Sequence, residues 1–281
     1  MTTTAGVYTF NARSVIALTV ASCVSAAGFL WPFFTSSTHR NNQWFFWIAV
    51  PLALGILIIE ISNKRLDAKS VALLGVFAAI TAALRPLGAG AAGIEPMWFI
   101  LILAARTFGA SFGFVLGITS MFVSALITGG FGPWLSYQMF AAGWIGLIAG
   151  ALPQRIGKIL IRGRSEVALM MIFGIFASLL FGLLMDLQFW PWAIGTQTQL
   201  SFSPGAPVLQ NAHRFIIFHF ASSMAWDIPR AVFTTMLLGF SAPAVLSALR
   251  RTKRRAAFLT AIEFEASKSA LTLRARQQRE V

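Results

Sequence analysis

The sequence predicts an all-α membrane protein, and three observations support this fold class. Of its 281 residues, 57% are hydrophobic and only 11% are charged, whereas soluble domains carry about 25% charged residues. The apolar residues occur in long runs, several of them close to the ~20 residues that cross a bilayer. Glycine and alanine recur four residues apart within these runs, a spacing typical of closely packed membrane helices.

Eight membrane segments are predicted along the chain. They are roughly 14–34, 44–61, 70–85, 95–106, 109–128, 134–152, 166–187 and 226–249. The first run is too long for the core of a signal peptide, so we expect it to be retained as a transmembrane helix. The fourth is short, and an apolar stretch over 215–224 that precedes the last span is a candidate for a further short helix.

The chain divides into an N-terminal pair of transmembrane helices (1–67), a six-helix core (68–255) and a basic cytoplasmic tail (256–281). The longest connection runs from 187 to 214. Its prolines, which include Pro191, exclude a continuous helix. This connection is either an ordered lid or a disordered linker, and the sequence leaves both readings open.

The distribution of basic residues predicts the orientation. If the N-terminus is cytoplasmic, 18 of the 22 Lys and Arg residues lie in inner segments, three lie in outer segments and Arg230 lies in the last span. Cytoplasmic loops carry an excess of Lys and Arg, so we expect a multi-pass plasma-membrane protein with both termini cytoplasmic. The basic cluster after the last span is expected to contact anionic lipid.

Eight of the nine tryptophans fall toward the predicted outer side. They are Trp31, Trp44, Trp47, Trp98, Trp134, Trp190, Trp192 and Trp226. Interfacial aromatic belts normally form at both faces of the membrane, so a one-sided group also fits an outward-facing pocket. Belt and pocket are both open for each ring, and the pocket candidates are Trp98, Trp134, Trp190, Trp192 and Trp226.

Small residues form two kinds of motif. In the third span, Gly75, Ala79 and Ala83 share one helix face, and Ala78 and Ala82 form an adjacent pair. Either set suits helix docking, to a partner or within the bundle. The glycines spaced four apart in the fifth span, and those in the sixth, are expected mainly to pack the bundle internally.

Ionisable residues near membrane spans are candidates for function by default. Glu95 and Asp186 lie at outer ends of spans, and Asp227 and Arg230 are three residues apart, so they share a helix face and can pair. This pair either holds the last helix in the bundle or forms a polar wall of a pocket. Tyr137 and Gln138, one turn below an outer glycine turn, are further candidates for ligand contact.

Several functional classes are disfavoured. The chain has no nucleotide-binding GxxxxGK[ST] motif and no zinc-binding HExxH motif, and its three histidines are scattered. We therefore expect no catalytic residues, no metal and no cofactor. The net charge of +13 lies in loops between apolar runs, so we read it as topology rather than as a sign of nucleic-acid binding.

Four stretches carry a resemblance to a known family. They are VFAAITAALRPLG, MWFILILAARTFGASFGFVLG, ITGGFGPWLSYQMFAAGWIGLIAG and ASSMAWDIPRAVFTTMLLGFSAPAVLSALRR. Across residues 68–255 the chain resembles a substrate-binding S component of an energy-coupling factor (ECF) vitamin transporter, of the type found in actinobacteria. The resemblance implies a six-helix S-component bundle over 70–249, here with two extra N-terminal transmembrane helices.

The resemblance also implies partners. A transmembrane T subunit would contact the alanine motif of the third span, and two cytoplasmic ATPases would complete the complex. The ligand would be a vitamin bound near the outer surface; cobalamin is preferred, with a riboflavin-like ligand as the other choice. The alternatives are an autonomous ion-coupled secondary transporter or channel, with Asp227 and Arg230 on the ion path, and a membrane enzyme acting on lipid.

Overall fold

The computed structural model describes residues 12–34, 55, 68–88, 93–193 and 198–277. Eight α-helices lie within these ranges: α1 Ala12–Leu30, α2 Ala68–Leu84, α3 Met97–Phe108, α4 Ala110–Thr128, α5 Leu135–Ala151, α6 Arg164–Ala193, α7 Val208–Ser222 and α8 Met224–Gln277. Short 3-10 turns follow α1 (Trp31–Phe33) and α2 (Pro86–Gly88). A two-stranded antiparallel hairpin, β1 (Arg155–Ile156) and β2 (Ile159–Leu160), connects α5 to α6.

Five of the described helices are long and apolar enough to cross a membrane. These spans are Val15–Phe33, Lys69–Gly88, Ala110–Thr128, Arg164–Ala193 and Met224–Arg254. Helices α3 and α5 are shorter but also apolar. The predicted all-α membrane fold class is therefore confirmed. We call the two ends of the bundle outer and inner, after the predicted topology.

Helices α4 and α5 form the closest pair in the bundle, because glycines line their contact. A methyl group on Gly113 would overlap the carbonyl group of Gly146, and one on Gly117 would overlap that of Ala142. Small residues at such a contact bring two backbones together in lipid, where burial of apolar surface adds little. The glycine motifs of these two helices thus pack the bundle internally, as expected.

The helix boundaries differ from the predicted ones in two places. Helix α6 runs through Pro191 and ends at Ala193, six residues beyond the predicted end at 187. The apolar stretch before the last span does form a separate helix, α7, and α8 then continues without a break to Gln277. The predicted second N-terminal span, 44–61, lies outside the described residues except for position 55.

An ionic network around the buried carboxylate of Glu166 closes the inner end of the bundle. Arg106 Nε donates to Glu166 Oε1 over 2.9 Å, and both side chains are 2% exposed. The Arg106 guanidinium also donates to the carbonyls of Leu152 and Pro153, while Arg250 Nη2 donates to both oxygens of Glu166 over 2.6 and 2.7 Å. Helices α3, α6 and α8 are thereby joined at Arg250, the first residue of the basic cluster that follows the last span.

The glycine contact between α4 and α5 leads to a stability prediction. Gly113→Ala should lower the stability of the folded protein by roughly 1–3 kcal/mol, the usual cost of an extra methyl group in a packed interior. The measurement is the thermal unfolding midpoint of the purified protein in detergent, followed by tryptophan fluorescence.

Gly75→Ala is the matched control for this prediction. A methyl group there meets no atom within 4 Å, and alanine favours the helix over glycine by ~1 kcal/mol. Equal midpoints for the two variants would contradict the packing account.

Candidate functional site

Arg230 of α8 is the centre of a polar cluster at the outer end. Its Nε donates to Glu95 Oε2 over 3.1 Å and its Nη1 to Asp227 Oδ1 over 2.6 Å; Nη1 also reaches the carbonyl of Ser178 on α6 at 3.4 Å. The Asp227 side chain is 1% exposed and that of Glu95 is 24% exposed. Any side chain at Gly182 would overlap the Asp227 carboxylate, so glycine there lets α8 approach α6.

Two aromatic rings flank this cluster. Trp98 Nε1 donates to Glu95 Oε2 over 2.6 Å, which fixes the carboxylate between the indole and the Arg230 guanidinium. The Trp98 ring lies 4.6 Å from the Phe181 ring, and the guanidinium carbon lies 5.1 Å from the centroid of Phe181. A cation over an aromatic face at this distance is favourable, so the rings and the charges form one unit.

A third carboxylate, that of Asp186, adjoins the cluster through two neighbouring serines. His219 Nδ1 of α7 lies 2.8 Å from Asp186 Oδ2 of α6, a hydrogen-bonding distance, and Ser222 Oγ, which donates to the carbonyl of Phe218, lies 3.4 Å from the same oxygen. The next residue, Ser223, donates to Asp227 Oδ2 over 2.8 Å. The short connection between α7 and α8 therefore lies between the carboxylates of Asp186 and Asp227.

Gln138 and Tyr137 are neighbours in α5 but point to different partners. The Gln138 side chain accepts a hydrogen bond from Arg85 Nη2 over 2.9 Å, and Arg85 Nη1 reaches Ser124 Oγ at 3.4 Å. Tyr137 instead donates to the carbonyl of Gly28 over 2.9 Å, so its hydroxyl contacts the N-terminal helix α1. Arg85 thus adds a cation to the outer end.

The tryptophans proposed as ligand contacts fall into two groups by exposure. Trp98 and Trp190 are buried, with 1% and 0% of their surface exposed. Trp134, Trp192 and Trp226 are 45%, 38% and 49% exposed. The buried pair is part of the protein interior in this structure, whereas the exposed three are accessible to a ligand or to lipid.

Burial also separates the two small-residue sets of α2. Ala78 and Ala82 are 2% and 0% exposed, so they face the bundle interior. Gly75, Ala79 and Ala83 are exposed on the adjacent face of the helix, and we call these three residues the exposed ridge. Of the two sets proposed for docking, only the exposed ridge is accessible to another protein.

Several residues of the outer cluster were not among the sequence-based candidates. They are Arg85, Ser178, Phe181, His219, Ser222 and Ser223. The rule that ionisable residues near spans are functional candidates applies equally to Arg85 and His219. Nothing in the sequence distinguishes Phe181 or the serines from other apolar or small residues of the spans.

The cluster is rich in hydrogen-bonding groups and nearly balanced in charge. Glu95 and Asp227 carry as many negative charges as Arg85 and Arg230 carry positive ones, and Asp186 is paired with His219. Within the described residues, no group of three His, Cys, Asp or Glu side chains is arranged to hold a metal ion. Such a site suits recognition of a polar but uncharged molecule with a flat face.

Comparison with known protein families gives a match to part of the chain. Residues 65–203, about half of the chain, match the family described as ECF-type riboflavin transporter, S component. No curated protein and no solved structure matches the chain. The matched segment holds α2 to α6, with Glu95, Trp98 and the exposed ridge, whereas Asp227 and Arg230 lie beyond it. With its all-α membrane fold, the chain belongs to the S components of energy-coupling factor transporters.

Proposed function

We propose that this chain binds riboflavin, or a closely similar flavin, at the outer end of the bundle and delivers it to an ATP-driven ECF complex. S components are the substrate-binding subunits of such transporters, and the matched family is described as the S component of a riboflavin transporter. The observation that carries the proposal is the ring-flanked cluster of Glu95, Trp98, Asp227 and Arg230, in which two carboxylates share one guanidinium.

The pairing of Arg230 with two carboxylates favours a neutral vitamin. Riboflavin carries no charge at neutral pH, whereas its phosphate ester carries about two negative charges. Arg230 is already shared by two carboxylates, over 3.1 and 2.6 Å. A phosphate would therefore compete with Glu95 and Asp227 for the guanidinium.

The hydrogen-bonding groups and rings match the two parts of a flavin. The ring system offers a flat aromatic surface and an edge of donors and acceptors, and the ribityl chain offers hydroxyl groups. Exposed rings such as Trp134 and Trp226 supply stacking surfaces. Asp186, Gln138 and Glu95 supply side-chain acceptors that are only partly buried.

Riboflavin thus replaces cobalamin as the first ligand to test, since the family description favours a flavin. The ion-coupled alternative has weaker support. In the described structure each oxygen of the Asp227 carboxylate already accepts a hydrogen bond, one from Arg230 and one from Ser223, so a coupling cation would compete with a guanidinium already in place.

The partners follow from the family. A transmembrane T subunit would dock on the exposed ridge of α2, and two cytoplasmic ATPases would supply the energy. If both termini lie on the cytoplasmic side of the plasma membrane, the inner end and the basic region after Arg250 would lie on the same side as the ATPases. The chain itself would bind substrate without catalysing a reaction.

Riboflavin titration of the purified protein tests the binding site. Flavin fluorescence should be quenched with saturation in the wild type, and riboflavin phosphate should bind at least about tenfold more weakly. Glu95→Gln should lower riboflavin affinity about tenfold or more, the usual effect of losing a charged hydrogen-bond partner.

Glu166→Gln is the matched control, because Glu166 also binds arginines but at the inner end. Affinity within about twofold of the wild type is expected for its folded fraction, although its stability should fall. Equal effects of the two substitutions on affinity, or tighter binding of the phosphate, would contradict the placement of the site.

Co-purification with the T subunit tests the exposed ridge. Ala79→Leu should abolish assembly while leaving riboflavin affinity unchanged, because a larger side chain prevents close helix approach. Ala168→Leu, at an exposed alanine of α6, should assemble normally. Normal assembly of Ala79→Leu would place the docking surface elsewhere.

A further inference from the structure

The N-terminal helix α1 lies outside the matched family segment, yet it is firmly attached to the core. Tyr137 of α5 donates to the carbonyl of Gly28 over 2.9 Å, and Trp144 Nε1 donates to Ser22 Oγ over 3.0 Å. Phe29 is 2% exposed and its ring lies 4.6 Å from that of Tyr137. Helix α1 is therefore fixed along α5, and the chain that follows it is held at the outer end.

The 3-10 turn after α1 contacts three separate parts of the outer end through two rings. The Phe33 ring stacks at 5.9 Å on Trp190 of α6 and lies 6.2 Å from Phe215 of α7. The Trp31 ring lies 5.6 Å from Phe202, in the segment before α7, and 6.0 Å from Trp192. The turn thus joins α1 to the end of α6 and to residues 198–222, which we call the outer cap.

The outer cap is in turn connected to the polar cluster. Trp190 Nε1 donates to the carbonyl of Leu200 over 2.7 Å, which ties the start of the cap to α6. Phe215 stacks on His219 at 5.9 Å, and His219 contacts Asp186 over 2.8 Å. Displacement of the cap would therefore move His219 and Ser222 away from the site.

We propose that Trp31 and Phe33 are positioning residues that hold the outer cap closed over the binding site. Neither ring touches the polar groups described above, so their effect passes through Trp190, Phe202 and Phe215. The role for ligand exchange rests on the proposed function, whereas the holding of the cap does not. Opening of the cap would then control how fast a bound vitamin leaves.

Hydrogen exchange of the ligand-free full-length protein in lipid nanodiscs tests the contact directly. In the double variant Trp31→Ala, Phe33→Ala, amide exchange over 198–222 should accelerate about tenfold or more, since each aromatic pair contributes to closure. Exchange in α4 and α5 should stay at the wild-type rate, because their glycine contact does not involve the turn.

Two further variants sharpen the test. Phe34→Ala removes a neighbouring ring that is 77% exposed and should behave as wild type. Trp31→Phe, made alone, keeps a ring next to Phe202 and should retain most of the wild-type protection of residues 198–222 from exchange. Unchanged exchange over 198–222 in the double variant, or a uniform increase through the whole bundle, would overturn the positioning role.

Riboflavin dissociation then tests the consequence for binding. The double variant should release riboflavin about tenfold or more faster than the wild type, with Phe34→Ala unchanged. Faster exchange in the cap with an unchanged dissociation rate would show that the cap does not cover the site, which overturns the proposal. If the wild type binds no flavin, the proposed function fails, while the exchange pattern still decides whether the turn holds the cap.

Discussion

The burial of the Arg230 guanidinium between two carboxylates constrains the whole outer end. A charged group removed from water is tolerated only with close partners, and removal of one partner from such a buried pair typically costs ~3–5 kcal/mol. Glu95 and Asp227 supply these partners from different parts of the chain, and Ser178 of α6 adds a carbonyl. The start of α3, which follows Glu95, is consequently held against α6 and α8 at the outer end.

The same three helices are joined at the inner end by Arg106, Glu166 and Arg250. The two networks differ in their surroundings. The inner one is built on a fully enclosed carboxylate, with Glu166 2% exposed, whereas Glu95 at the outer end is 24% exposed. An enclosed carboxylate suits a structural role, while a partly open one can exchange a hydrogen-bond partner for a ligand.

Much of the fold was predictable because long apolar runs indicate membrane-spanning helices directly. The Asp227–Arg230 pair was also predictable, since residues three apart share a helix face. The sequence identified Glu95 as a candidate for ligand contact but could not predict its ion pair with Arg230, because the two residues lie 135 positions apart in the chain.

Other features depended on tertiary packing. Helix α2 is apolar or small on all sides, so its sequence could not show that Ala78 faces inward and Ala79 outward. Pro191 did not end α6, because it removes one backbone hydrogen bond only two residues before the helix end, where Trp190 is held by Leu200. The contact of Tyr137 with α1 was equally invisible, since the sequence does not reveal where an additional helix docks.

The central claim is that this chain binds a vitamin for other subunits to transport, and uptake into liposomes tests it most directly. Riboflavin should enter only when the chain is reconstituted with its T subunit, both ATPases and ATP. Riboflavin uptake by the isolated chain, driven by an ion gradient alone, would contradict the account.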